Sequence, residues 1–197
     1  MDAKEYTAMI ARAEVPPEPP DADKTFGFAS VEARQVCVYD HGVHAMIAKT
    51  WVDKLAAWIG NRKVLEIMAG TGLLAKALHQ ASVDITATDS CEWYGPELHV
   101  FPVEKLEASE AVAAYPQAEV LLCCWPPYTS DAIVEACKKW GSQRPIVYIG
   151  EGFEGCNAPN TFFEHFVEDK SVDIYLPQWW GLHDYIMIGK WSKNGRK

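Results

Sequence analysis

Val64-Leu65-Glu66-Ile67-Met68-Ala69-Gly70-Thr71-Gly72-Leu73-Leu74 decides the fold of this 197-residue chain. An apolar run broken only by Glu66 reads as a buried strand. Gly70 and Gly72 supply the residues without a Cβ that a sharp turn needs, and an amphipathic helix opens at Leu73. Such a turn brings a ligand close to the main chain and aims the first N–H groups of a helix at it. Glu66 narrows the choice of ligand. A carboxylate in a buried strand is costly without a task. Beside a glycine turn it suits hydroxyls, an amine or a positive charge better than a bare phosphate.

Outward from this turn, strand and helix alternate. Upstream, Val31 to Val38 and His41 to Trp58 carry helical spacing, with Val43, Ile47, Trp51, Leu55 and Trp58 on one face and Gly60-Asn61 as the stop. Downstream, Leu73 to Ala81 reads as helix and Val83 to Asp89, β-branched and alternating, as a second strand. A third strand is expected over Leu98 to Val103, then a helix over Lys105 to Tyr115. Val120 to Trp125 is a fourth strand ended by Pro126-Pro127, and Asp131 to Trp140 a helix. Ile146 to Gly150 is a fifth strand, followed by a short helix over Phe162 to Phe166. Val172 to Leu176 and Tyr185 to Lys190 read as an antiparallel closing pair joined by a Trp-rich loop. The pattern is that of an α/β layered domain with right-handed crossovers. Residues 1–24 form a Pro-rich N-terminal extension, 25–191 the ligand-binding domain and 192–197 a basic tail.

Composition excludes several function classes. Hydrophobic residues make up 49% and charged residues 23%, which describes a globular chain rather than a disordered one. No apolar run is long enough to span a bilayer, and Met1-Asp2-Ala3-Lys4-Glu5 lacks a signal-peptide layout, so a cytoplasmic location is expected. The six cysteines form no CxxC pair and read as reduced thiols. A formal charge of −9 opposes tight binding to nucleic-acid backbone and leaves a small-molecule partner as the expectation. His41 and His44, near Cys37, are spaced H-x-x-H, but no second ligand pair follows, so no metal is expected.

Ligands of open α/β sheets sit at the carboxyl ends of the strands. That rule gathers Glu66 to Gly72, Asp89 to Trp93, Val103-Glu104, Trp125 to Tyr128 and Gly150 to Gly155. Asp89, ending the second strand, is placed to accept both hydroxyl hydrogens of a ribose. Gly70-Thr71-Gly72-Leu73-Leu74-Ala75 also fits the G-x-G-x-x-A form of NAD sites, but Glu66 would repel a pyrophosphate.

The turn resembles motif I of the class I S-adenosylmethionine (SAM)-dependent methyltransferases, acid-x-Gly-x-Gly-x-Gly, with Met68 at the first glycine position. Cys124-Trp125-Pro126-Pro127-Tyr128 is similar to the (Asp/Asn/Ser)-Pro-Pro-(Tyr/Phe) motif of amino-methyltransferases, with Trp125 at the polar position. Together with Tyr148-Ile149-Gly150-Glu151-Gly152 and Trp179-Trp180-Gly181-Leu182-His183-Asp184, these motifs resemble a group of bacterial and fungal methyltransferase-like proteins. The resemblance implies a Rossmann-like fold, with a mostly parallel seven-stranded sheet, a C-terminal antiparallel hairpin and helices on both faces. It implies SAM as cofactor, held by Glu66, Met68, Ala69, Gly70, Gly72, Asp89, Ser90, Val103, Glu104, Cys124, Trp125 and Pro126. Tyr128, Glu151 and His183 are the expected catalytic residues, acting on a small planar or aromatic acceptor. Two other readings stay open: a non-catalytic SAM-binding regulatory module, which Met68 favours, and N6-type methylation of nucleic acid, which Trp125 and the charge oppose.

Overall fold

The computed structural model describes residues 1–21 and 27–195. Ala22, Asp23 and Lys24 of the polar stretch, and Arg196 and Lys197 of the basic tail, lie outside the described residues. The strands are β1 Val64–Ile67, β2 Ile85–Asp89, β3 Val103–Lys105, β4 Val120–Cys124, β5 Ile146–Glu151, β6 Phe166–Glu168 and β7 Asp184–Trp191. They form one sheet in the order β3-β2-β1-β4-β5-β7-β6. The first five run parallel, and β7 runs antiparallel to both β5 and β6. This is the class I methyltransferase form of the Rossmann-like fold. Strand order reverses beside β1, whose Glu66 lies opposite Ala87 on one side and Leu122 on the other. The carboxyl ends of β1, β2 and β4 therefore meet at the switch point where such sheets take ligands.

Seven α-helices among the described residues cover both faces. The helices α1 Ala3–Ala11, α2 Phe28–Gln35, α3 Lys49–Ile59 and α4 Leu73–Gln80 build one core over Val64, Ile85, Val120, Leu122 and Val147. On the other face α5 Ala108–Ala114, α6 Ala132–Trp140 and α7 Asn160–His165 pack on Leu65, Ile67, Leu121, Cys123 and Tyr148. Neighbouring strand residues divide between the two cores, as the alternation of side chains along a strand requires. The N-terminal helix belongs to the first core. Tyr6 is fully buried, meets the Trp179 ring edge-on at 5.7 Å and donates its hydroxyl to the Ile47 carbonyl at 2.9 Å.

Three elements depart most from the sequence reading, each for a physical reason. The helix expected over His41 to Trp58 begins only at Lys49; a π-turn at Val36–Asp40 precedes an irregular segment over 42–48. Val43 and Ile47 are buried there, so the apolar spacing is real, but Tyr6 takes the Ile47 carbonyl and Trp179 the His44 carbonyl. The third strand starts at Val103 instead of ending there, because a 3-10 turn at Pro96–Leu98 consumes its expected opening. Val172 to Leu176 alternates in burial but joins no ladder. Ile174 and Leu176 pack on the first core, and Phe166–Glu168 takes the pairing with β7.

Candidate functional site

A cavity of about 480 Å³ opens at the switch point. Its floor is the turn after β1. Gly70 takes a φ of +55° and Gly72 a φ of +80°, both in the left-handed region that favours glycine. At Gly72 a Cβ would stand 2.9 Å from Val103 Cγ2 and 3.1 Å from Phe101 Cβ, so the turn is pressed onto the β3 approach. Met68 also takes a left-handed φ, +56°, which is the physical reason a glycine suits that position. Its thioether lies 3.8 Å from Cys123 Sγ, packed toward the second core, while the residue still lines the cavity.

The acids are placed by the strands. Asp89 ends β2 and accepts the Gly70 N–H at 2.9 Å on one oxygen and the Cys91 N–H at 2.7 Å on the other. Each oxygen keeps a further lone pair for a ligand. Glu66 is 1% exposed, and its Oε2 has no hydrogen-bond partner among the described residues. Burial, and then the charge of Asp89, push its carboxyl up to about 8. Four acidic side chains line the cavity (Glu66, Asp89, Glu92 and Glu107), and no Lys or Arg does. A cationic ligand entering there meets Asp89, Glu92 and Glu107, and its charge favours the ionised form of Glu66.

The opposite wall is aromatic. Trp125 stands just after β4 at φ +53°, and its main-chain N–H donates to the Ile149 carbonyl at 2.8 Å. His44 stacks on the Trp125 ring at 5.3 Å, and Tyr128 lies on the rim, 60% exposed. The proline pair is braced from behind, with Pro126 accepting the Ala158 N–H and Pro127 bridging Asn157. Behind Trp125 lies Asp184, 1% exposed at the start of β7, with no partner of ordinary geometry for either carboxylate oxygen. Burial pushes its carboxyl up to about 7, against the pull of the Trp125 indole N–H and of Arg34.

The cavity brings together Glu66, Met68, Ala69, Gly70, Asp89, Ser90, Cys124, Trp125 and Tyr128 from the sequence reading. Others lie apart from it. Gly72 shapes the turn without lining the cavity, and Pro126 is buried behind Trp125. Val103 and Glu104 face a separate cleft beside β2 and β3, and Leu106, Glu107 and Ala108 line the cavity in their place. The displacement follows from the late start of β3, which moves the loop after that strand a few residues along the chain.

Two of the three expected catalytic residues also sit off the cavity. His183 is exposed and touches Glu151 only through its main-chain N–H at 3.2 Å. Glu151 is occupied. Burial pushes its carboxyl up, but the Cys156 thiol, then the Cys156 and His183 N–H groups, outweigh that and hold it below the usual carboxylate range. The sequence reading missed Gly42 to Ala45, Tyr94 and Asn157, all of which line the cavity. The signal available was the close pair Gly42-Val43 beside His44, hidden by a helical spacing that continues through it.

SAM fits these residues on two observations: an unpartnered buried carboxyl and a cavity lining without Lys or Arg. No protein-family model matches the sequence, and no curated protein matches it. Among solved structures, the chain is similar in fold to magnesium protoporphyrin IX methyltransferase from Synechocystis PCC 6803 with bound SAM. The identity is 13%, with 73% of this chain and 79% of that chain covered and a TM-score of 0.48. It is also similar to a SAM-dependent methyltransferase from Archaeoglobus fulgidus, at 14% identity, 71% and 94% coverage and a TM-score of 0.45. A ribosomal protein L11 methylase from Lactobacillus delbrueckii subsp. bulgaricus matches at 14% identity, 71% and 76% coverage and a TM-score of 0.44. The likeness is one of fold.

Proposed function

We propose that this chain is a SAM-dependent methyltransferase acting on a small, planar acceptor. The observation that carries this reading is the cavity's lining: three acidic side chains, a fourth carboxyl buried beneath the glycine turn that a cation would ionise, and no Lys or Arg. A dinucleotide phosphate would be repelled there, whereas a sulfonium and an amino group would be attracted. Glu66, Met68, Ala69, Gly70, Asp89 and Ser90 would hold the cofactor, with Leu106 to Ala108 completing its end of the cavity. Bound SAM supplies a methyl group on a positively charged sulfur. The chain supplies position. Trp125 and Tyr128 wall the acceptor and exclude water, and fixing two reactants in this way is worth up to about 7–11 kcal/mol of barrier.

Calorimetry tests the cofactor directly. S-adenosylhomocysteine and SAM should bind with a one-to-one stoichiometry, and NAD should not. Asp89→Ala should weaken S-adenosylhomocysteine by about 10²–10⁴-fold, the loss of two hydrogen bonds to a charged group at ~1.5–3 kcal/mol each. Binding of NAD, or of neither adenosyl ligand, would sink the reading.

Met68 favours a second reading, a SAM-binding module without turnover. Its side chain occupies the place of a glycine at the edge of the cavity. Isotopic methyl label passing from the cofactor into a metabolite extract separates turnover from binding alone.

A further inference from the structure

We infer that His44 is a catalytic residue of this site: its Nδ1 receives the hydrogen of the methyl acceptor. The inference rests on the methyltransferase reading above and adds to it a proton acceptor and an acceptor class.

His44 is the one imidazole among the described residues that lines the cavity. Three contacts hold it from three elements. Its ring stacks on Trp125, with centroids 5.3 Å apart and planes 25° apart. Its Nε2 lies 3.0 Å from the Tyr94 hydroxyl. Its main-chain carbonyl accepts the Trp179 indole N–H at 3.1 Å. A side chain fixed this fully has one free polar atom, Nδ1, which is buried with no hydrogen-bond partner among the described residues. Buried polar atoms are seldom left so, and an orphan beside a ligand cavity is a place for a ligand group.

The neighbours decide what that atom can do. Burial, and then the positive charge of Arg34, push the imidazole down to about 4, so it is neutral at physiological pH. A neutral ring has one donor and one acceptor nitrogen. Burial and the Asp89 charge both push the Tyr94 hydroxyl pKa up, so that group keeps its hydrogen. The Tyr94 oxygen, 3.0 Å from Nε2, is placed to accept from Nε2–H. That leaves a lone pair on Nδ1. In the transfer, the acceptor's lone pair forms the bond to the methyl carbon, and the electrons of the broken carbon–sulfur bond stay on sulfur. The acceptor's proton passes to Nδ1, and the positive charge moves from sulfonium to imidazolium.

The acceptor class follows. It must carry an N–H or O–H hydrogen, and it must be neutral or cationic, since the cavity offers carboxylates and no Lys or Arg. An aromatic amine, an azole or a phenol meets both demands, and a phosphorylated compound does not.

The test uses the full chain with ¹⁵N-labelled histidine, saturated with S-adenosylhomocysteine, and His44→Gln to assign the resonance. At pH 7 the His44 Nδ1 should resonate as an unprotonated nitrogen and Nε2 as a protonated one. Adding phenol or aniline should shift Nδ1 in the direction of an accepted hydrogen bond, and phenyl phosphate should leave it in place. A protonated Nδ1 overturns the proposal, and so does an Nδ1 resonance that neither phenol nor aniline moves. Calorimetry of S-adenosylhomocysteine on the same sample reports the cofactor reading separately. In a chain that fails to bind it, the tautomer is read in the free protein.

Discussion

Glu66→Gln should flatten the dependence of stability on pH. Glu66 is buried, and its carboxyl sits at about 8 where its ordinary value is 4.5. The folded chain therefore keeps a proton that the unfolded chain has lost over this range. Stability linked to Glu66 is fully present below 4.5, declines as pH rises and levels off above 8. Between pH 6 and 8.5 the unfolded carboxylate gains about 2.5 units of ionisation free energy and the folded one only about 0.6, a difference of about 1.9 units. At 1.36 kcal/mol per unit the wild type should lose roughly 2–3 kcal/mol across that window through this residue alone. Glutamine keeps the shape and cannot ionise. Asp184, raised to about 7, contributes a slope of the same sign to both chains and cancels in the comparison. Urea unfolding at pH 6, 7, 8 and 8.5 gives both curves, and their difference should grow by that amount. Parallel curves would falsify the account of Glu66 as a proton-bearing buried carboxyl.

Three further outcomes follow from the same geometry. SAM binding at pH 7 should release close to one proton, because a cation beside Glu66 favours its ionised form; calorimetry in buffers of different ionisation enthalpy measures it, and zero release would contradict the placement. Gly72→Ala should cost about 2–4 kcal/mol in urea unfolding, from a left-handed φ of +80° and a Cβ 2.9 Å from Val103. Tyr6→Phe should cost about 1–2 kcal/mol by the same measurement, since it leaves the buried Ile47 carbonyl without its donor.

Much of the sheet was legible because burial on both faces writes unbroken apolar runs. Val64–Ile67, Val120–Cys124 and Ile146–Glu151 are such strands, and each sits within a residue or two of its expected place. The turn residues were legible too, since a left-handed backbone selects its residue types. Val172 to Leu176 was misread because alternation reports which side chains are buried, not which backbone groups are paired. The missing ladder is decided by β7, whose free edge is taken by Phe166–Glu168.

The aromatic half of the cavity was the hardest part to read, and the cause lies far from it in sequence. Val43 and Ile47 are four residues apart and buried, as in a helix, but the backbone between them serves the cavity. Gly42 crosses the Gly70–Thr71 turn so closely that a Cβ would stand 2.9 Å from Thr71 Cγ2 and from the Tyr94 ring. A helix cannot make that crossing, because its side chains would fill the gap. What holds the chain out of a helix is non-local: Tyr6 takes the Ile47 carbonyl, and Trp179 takes the His44 carbonyl across 135 residues. Each contact removes an acceptor that a helix would have used, and together they present His44 to Trp125. The N-terminal helix is therefore coupled to His44 through Tyr6, by its hydroxyl on Ile47 and its ring against Trp179. Tyr6→Phe should loosen His44 as well as the fold, and its His44 ring nitrogens should broaden in the ¹⁵N spectrum at temperatures where the variant is still fully folded. A His44 spectrum identical to the wild type's would mean that Trp179 and Trp125 hold the ring without help from the N-terminus.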